Sequence, residues 1–254
     1  MRGHGFLTNA RPAPITDGVL RNMMMHSIFS QEMRSGAVAL FRRLQARRPS
    51  LLLLLALGCM LWLGGCASIG YYNITDFDTV VVDPGHGGHD SGASTRAGHT
   101  RLLEKDLALD VGRRVNGKLR EAGFRVVMTR MDDRFITLND RVECSNAYRK
   151  SVFVSIHFND TSRRAVRGAE TYHNRRGTWQ LAARIERSLA SMPGGEDRGV
   201  RTARYRVLRK SEGPALLVEC GYLSNPHEAA NCANAAWREQ VATRIANAII
   251  AQRQ

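Results

Sequence analysis

From residue 77 onward the chain alternates short β-branched runs with longer stretches of helical period, and this alternation limits the fold more than any other feature. DTVVVD (78–83) reads as a buried strand, EKDLALDVGRRVNGKLREAG (104–123) as a helix closed by Gly123, and FRVVMTR (124–130) as a strand. LNDRVECSNAYRK (138–150) reads as a helix, SVFVSIHFN (151–159) and GAETYHN (168–174) as strands, and TWQLAARIERSLASM (178–192) as a helix. YRVLR (205–209) is expected as a short strand, PALLVECGY (214–222) as a strand, and NAAWREQVATRIANAIIAQ (234–252) as the last helix. Strands alternating with helices predict an α/β fold. The expectation is a single domain with a mostly parallel sheet covered by helices on both faces, and a ligand cleft at the carboxyl ends of the strands. A chain of 254 residues has room for one such core beside an N-terminal extension.

That extension differs in character. A polar, methionine-rich leader runs into the basic stretch RRLQARRPS and then the apolar run LLLLLALGCMLWL (51–63), an order that reads as an export signal. The run has the length of a signal-peptide core and is short for a helix crossing ~30 Å of hydrocarbon, unless it extends through Tyr72 as an anchor. Leu63-Gly64-Gly65-Cys66 resembles the lipobox of bacterial lipoproteins, in which the cysteine is lipidated and becomes the mature N-terminus. Lipidation of Cys66 is the expected outcome, with an uncleaved anchor and plain cleavage as the alternatives. A signal this late in the chain makes Met23, Met24, Met25 and Met33 candidate starts. The expected organisation is a leader and export signal over 1–65, a short tether over 66–76 and the folded domain over 77–254. Ala67 lacks the aspartate that resembles an inner-membrane retention signal, so the expected place is the periplasm, on the outer membrane.

The formal charge is +14, but eight of 37 basic and two of 23 acidic side chains precede Cys66, which leaves +8 on the exported part. Arg163, Arg164, Arg167, Arg175, Arg176 and the series Arg198, Arg201, Arg204, Arg206, Arg209, Lys210 supply much of that excess. No nucleic-acid motif or interleaved aromatics accompany them, so an anionic polymer or a membrane surface is the expected partner, and nucleic acid is not. Solvated surface charge explains any one cluster equally well. Beyond Cys66 there remain Cys144, Cys220 and Cys232, an odd number without a CxxC pair, and no disulfide is assigned among them.

Candidate chemistry sits where the strands end. His86 lies three residues past TVVVD, His157 closes VFVSI, and Glu219 closes ALLV, so parallel neighbouring strands would bring all three together. Taken singly, each has a plain explanation: a turn residue, a hydrogen-bonded core histidine, an ion-paired carboxylate. Glu104 adds a fourth group. At 100° per residue it falls on the helix stripe of Ala108, Val111, Val115 and Leu119, so this acid is expected to be buried, either as a complement to the helix N-terminus or beside a cation. The alternative of a phosphate-binding loop at Gly85-His86-Gly87-Gly88-His89-Asp90 fails on context, because DSGASTRAGHT continues as loop where a dinucleotide motif would open a helix. The glycines instead let the backbone turn sharply and aim His86 into the cleft.

DPGHGGHDSGA, EKDLAL, RVVMTR, SIHFN and LLVECGYLSN, in this order and at these distances, resemble the zinc-dependent N-acetylmuramoyl-L-alanine amidases of the amidase 3 type. The likeness spans about Val80 to Ile250. It implies hydrolysis of the amide between N-acetylmuramic acid and the first L-alanine of the peptidoglycan stem. It also implies one Zn2+ held by His86, Glu104 and His157, with Glu219 as the catalytic glutamate. Two imidazoles and a carboxylate leave a fourth position for water, as catalytic zinc sites do. Zinc lowers that water's pKa, and a carboxylate, here Glu219, takes its proton and delivers it to the leaving amine. Asp83 is expected either to orient His86 or to cap the DPG turn.

Some septal members of the family carry a long helical insert that plugs the site until a partner removes it. Here Gly168 to Glu219 is expected to hold one helix, a basic loop and a short strand, which leaves no plug and no required activator. Two further readings stay open: a wall-binding or hydrolase-activating module, and a zinc peptidase acting on the stem peptide.

Overall fold

The structure, a computed structural model, describes residues 74–253, so the leader, the apolar run and Cys66 lie outside the described residues. Eight strands and six helices of four-residue turns or longer run along it: β1 (Thr79–Pro84), β2 (Ser94–Ala97), β3 (Thr100–Leu103), α1 (Glu104–Glu121), β4 (Arg125–Met128), α2 (Leu138–Asn146) and β5 (Ser151–Asn159). Then come β6 (Ala169–His173), α3 (Trp179–Ala190), β7 (Asp197–Thr202), α4 (Arg206–Lys210), β8 (Ala215–Tyr222), α5 (Pro226–Ala233) and α6 (Ala235–Arg253).

Six strands form one sheet in the order β4-β1-β5-β8-β6-β7. The first four are mutually parallel, β6 is antiparallel to β8, and β7 runs parallel to β6. The central strands β1 and β8 are buried along their whole length, as continuous apolar runs covered on both sides require. One sheet face, with Val80, Val82, Val154, Ile156, Leu216 and Val218, packs on α1, α3 and α6. The other, with Val81, Phe153, Ala215 and Leu217, is covered by Val207 and Leu208 of α4 and by Val142 and Cys144 of α2. Both faces are therefore covered, as the alternation predicts.

Several elements depart from the sequence reading. YRVLR is not a strand: residues 206–210 are helical, because Val207 and Leu208 both turn onto the sheet as adjacent residues of a strand cannot. The stretch after the glycine-rich turn is not plain loop, since β2 and β3 form an antiparallel hairpin about Gly98, which sits at φ 59°. The basic segment contains β7, an edge strand whose polar residues hide the alternation that marks a strand. Pro226–Ala233 is a separate helix, capped by the Asn225 side chain on the N–H groups of His227 and Glu228. Cys144, Cys220 and Cys232 are all free thiols.

Candidate active site

Strand order brings the predicted groups together. β5 lies between β1 and β8, and His157 on β5 is the register partner of Glu219 on β8. Hydrogen bonding carries β1 on into the next turn, where Gly85 N–H donates to Ile156 O at 2.9 Å. His86 then takes φ 59°, a left-handed backbone uncommon for a residue with a side chain.

That backbone is clamped by two buried arginines. Arg130 donates to the carbonyls of Pro84, Gly85 and Lys105 at 2.7–3.0 Å, and Arg141 to those of Pro84 and His86 at 2.7 Å. Arg141 is in turn paired with Asp83 at 2.5 Å, and Asp83 also accepts from Thr129 and Ser155 at 2.6 Å. Among the described residues, the hydrogen-bond partners of Asp83 are thus these three side chains, not the His86 ring or a turn N–H. Asp83 compensates the buried guanidinium that holds the His86 backbone. The partner of the His86 Nδ1 atom is one that the sequence reading passed over, Asp90, whose Oδ2 lies 2.9 Å from it.

Glu104 opens α1 and is buried together with Ala108, Val111, Val115 and Leu119, so the predicted stripe is correct. Its Oε1 lies 3.1 Å from His86 Nε2 and 2.8 Å from His157 Nδ1. The N–H groups of Phe158 and Ala93 donate to its two oxygens and fix its direction. Burial alone would raise the Glu104 pKa, but the bonds from both imidazoles hold it well below the usual carboxylate range. Burial likewise works against charge on His86 and His157, yet their contacts with Glu104 keep both above the ordinary histidine value.

The three residues fit a metal ion. One donor atom from each of His86, Glu104 and His157 lies within 4.8 Å of the others. The pKa directions show a site that favours positive charge next to a carboxylate. Close approach is also built in: a Cβ on Gly92 would stand 2.5 Å from Glu104 Oε2 and 2.7 Å from His86 Cδ2, and one on Gly85 would overlap the His157 ring. Imidazole and carboxylate in this number are the donors of an open zinc site.

A cavity of about 690 Å³ contains this triad. Phe135, Ile136, Leu138, Tyr205 and Val207 also line it, as do Asn159, Asp160 and Glu219. Glu219 is buried, with its Oε2 carrying no hydrogen-bond partner among the described residues. Burial pushes this carboxyl up to about 7, with neighbouring Glu104 and Glu170 adding to the rise and His157 opposing it. A buried, unbonded carboxylate oxygen is rare in folded proteins, and beside a metal-ready triad it has the position and protonation range of a proton carrier. His89 points elsewhere, with its ring 4.1 Å from that of Phe135.

A family model described as N-acetylmuramoyl-L-alanine amidase matches residues 80–251. Among curated relatives, the N-acetylmuramoyl-L-alanine amidase LytC of Bacillus subtilis is 36% identical over 174 residues; the match covers 66% of this chain and 34% of LytC, so the chain spans about a third of that relative's length. Among solved structures, the amidase AmiC2 of Nostoc punctiforme superposes with a TM-score of 0.64 at 39% identity, over 68% of this chain and 95% of that one. The CwlD amidase of Clostridioides difficile, solved in complex with the GerS lipoprotein, gives 0.62 at 26% identity, over 69% and 98%.

Proposed function

Because the chain belongs to the N-acetylmuramoyl-L-alanine amidase family, we propose that it is a zinc-dependent peptidoglycan hydrolase. It cleaves the amide between N-acetylmuramic acid and the L-alanine of the stem peptide, with Glu219 as general base. The observation that carries this reading is the unbonded Glu219 oxygen in the same cavity as the His86–Glu104–His157 triad.

When held by those three side chains, zinc supplies a Lewis acid that polarises the amide carbonyl and acidifies water, and its charge draws the Glu219 carboxyl toward the ionised form. Asp90 holds the His86 ring in place through Nδ1. The clamp of Arg130 and Arg141 keeps the loop backbone from relaxing out of its left-handed turn. Glu219 takes a proton from the attacking water as the new C–O bond forms, then returns it to the alanine nitrogen as the C–N bond breaks.

The reading extends to placement. The chain is exported to the periplasm and anchored through a lipid on Cys66, on the outer membrane. It is expected to act without an added activator, a reading supported by the segment between Gly168 and Glu219, whose longest helix is the twelve-residue α3. Replacing Cys66 with Ser should abolish labelling by a lipid precursor, and unchanged labelling would rule out that anchor.

Digestion of purified sacculi by the zinc-loaded chain alone, with fragments identified by mass, tests the activity. Free stem peptides beginning with L-alanine are expected. Opened crosslinks would instead mark a stem peptidase, no release a binding module, and release only after a second protein is added would mark a gate.

A further inference from the structure

The second flank of Glu219 carries a group that the hydrolytic reading leaves unused. In the antiparallel pairing of β6 with β8, Glu170 stands directly opposite Glu219. Glu170 is 2% exposed, and each of its oxygens is engaged. Tyr222 Oη donates to Oε2 at 2.9 Å, Asn159 Nδ2 lies 3.5 Å from the same atom, and Arg201 pairs with Oε1 at 3.1 Å.

Arg201 belongs to the edge strand β7, level with Tyr172 of β6. Its side chain remains 54% exposed, although the buried carboxylate fixes one nitrogen and Arg198 O accepts from another at 3.3 Å. Two routes tie it to the cavity. Asn159 lines the cavity and touches Glu170, while Tyr205 lines it and meets the Tyr172 ring edge-on at 5.2 Å. Arg198 completes the set with its guanidinium 5.3 Å from the centre of the Tyr222 ring. Two guanidiniums thus gather at Glu170, with Glu196 also close enough to act on Arg198, while Arg201 keeps the exposed donors.

A guanidinium oriented by a buried acid, with its remaining donors open to solvent, is preorganised to receive a second carboxylate through paired N–H donors. The direction suits the proposed reaction, on which this inference rests. The group that Glu219 protonates is the nitrogen of the leaving stem peptide. That nitrogen therefore lies next to Glu219, whose strand β8 pairs with β6. Stem peptides carry free carboxylates beyond their first residue.

We propose that Arg201, oriented by Glu170, is the subsite for a carboxylate of the stem peptide and makes the protein prefer free-acid stems over amidated ones.

The test uses the full zinc-loaded chain and two synthetic stem tripeptides, one with a free carboxylate on its second residue and one with that carboxylate amidated. The wild type is expected to bind the acid form more tightly. Arg201→Ala should weaken the acid form by about 10- to 100-fold, the range of a charge-assisted hydrogen bond, and leave the amide form unchanged. Arg201→Lys should recover part of the loss, and Glu170→Gln should lose part of it. Equal affinities in the wild type, no loss in Arg201→Ala, or an equal loss for both peptides would overturn the subsite. Hydrolysis of sacculi is read separately: Arg201-dependent acid preference without hydrolysis would sink the amidase reading and leave the subsite standing, and hydrolysis without that preference would do the reverse.

Discussion

The two walls of the cavity differ in how fully they are bonded. On the wall of residues 83–92, Asp83 accepts from three side chains, two guanidiniums collect the carbonyls of the turn, and His86 is held by Asp90. On the β8 wall, one oxygen of Glu219 is buried without a partner. A saturated wall keeps ligand atoms fixed at no further cost on binding, whereas an unsaturated carboxylate is a local loss of stability that a substrate or water can relieve. On the proposed reading, rigidity and reactivity thus fall to different residues around one cavity.

Changing each wall in turn tests that division. The largest effect is expected on the unsaturated side, where Glu219→Gln should lower turnover by about 10²- to 10⁴-fold while keeping zinc. Its melting temperature should stay level or rise, since a neutral amide replaces a carboxyl that burial penalises when ionised. Glu104→Gln should instead lose metal, because it removes the single anionic donor of the triad. Metal analysis and turnover on both variants decide this: zinc lost from Glu219→Gln and retained by Glu104→Gln would exchange the two roles.

On the saturated side, Arg141→Ala strands the fully buried Asp83 and should cost about 3–5 kcal/mol in denaturant unfolding. A cost below about 1 kcal/mol would mean that the clamp contributes little to the fold. Asp90→Asn is milder. It preserves the shape beside His86 but removes the charge, and chelator competition should report zinc affinity weakened by about 10- to 100-fold with an unaltered fold.

The smallest effect comes from a carboxyl that does not line the cavity. Burial pushes Glu186 on α3 up to about 7, like Glu219, yet Thr171 Oγ1 donates to one of its oxygens and the Arg198 N–H to the other. Its folded pKa exceeds the ordinary value of 4.5, so its contribution to stability is fully present below that pH and is lost as pH rises toward 7. Glu186→Gln should flatten this slope by on the order of 1 kcal/mol, after allowance for solvent screening, with activity unchanged. A large loss of activity would show that a raised pKa marks function here even where every oxygen is bonded.

The parts of the molecule legible in sequence are those with a local signal. β1, β5 and β8 read as strands because burial on both faces demands unbroken β-branched and apolar runs, and Glu104 was legible from its place on the α1 stripe. β7 was not, because its edge position lets polar residues occupy both faces. The five residues of α4 are too few to show a period. Asp90 had a local spacing, four residues after His86, but in a loop that spacing says nothing about direction.

By itself, then, the sequence determined the kinds of element, the buried acid on α1, and the placing of His86, His157 and Glu219 at strand ends, since side-chain period and backbone preference act over a few residues. Tertiary structure alone decided that β1, β5 and β8 are neighbours, that an antiparallel β6 sets Glu170 against Glu219, and that Arg141 finds Asp83 across 58 positions of chain. Those pairings depend on which surfaces bury best against one another, and no short stretch of residues carries that information.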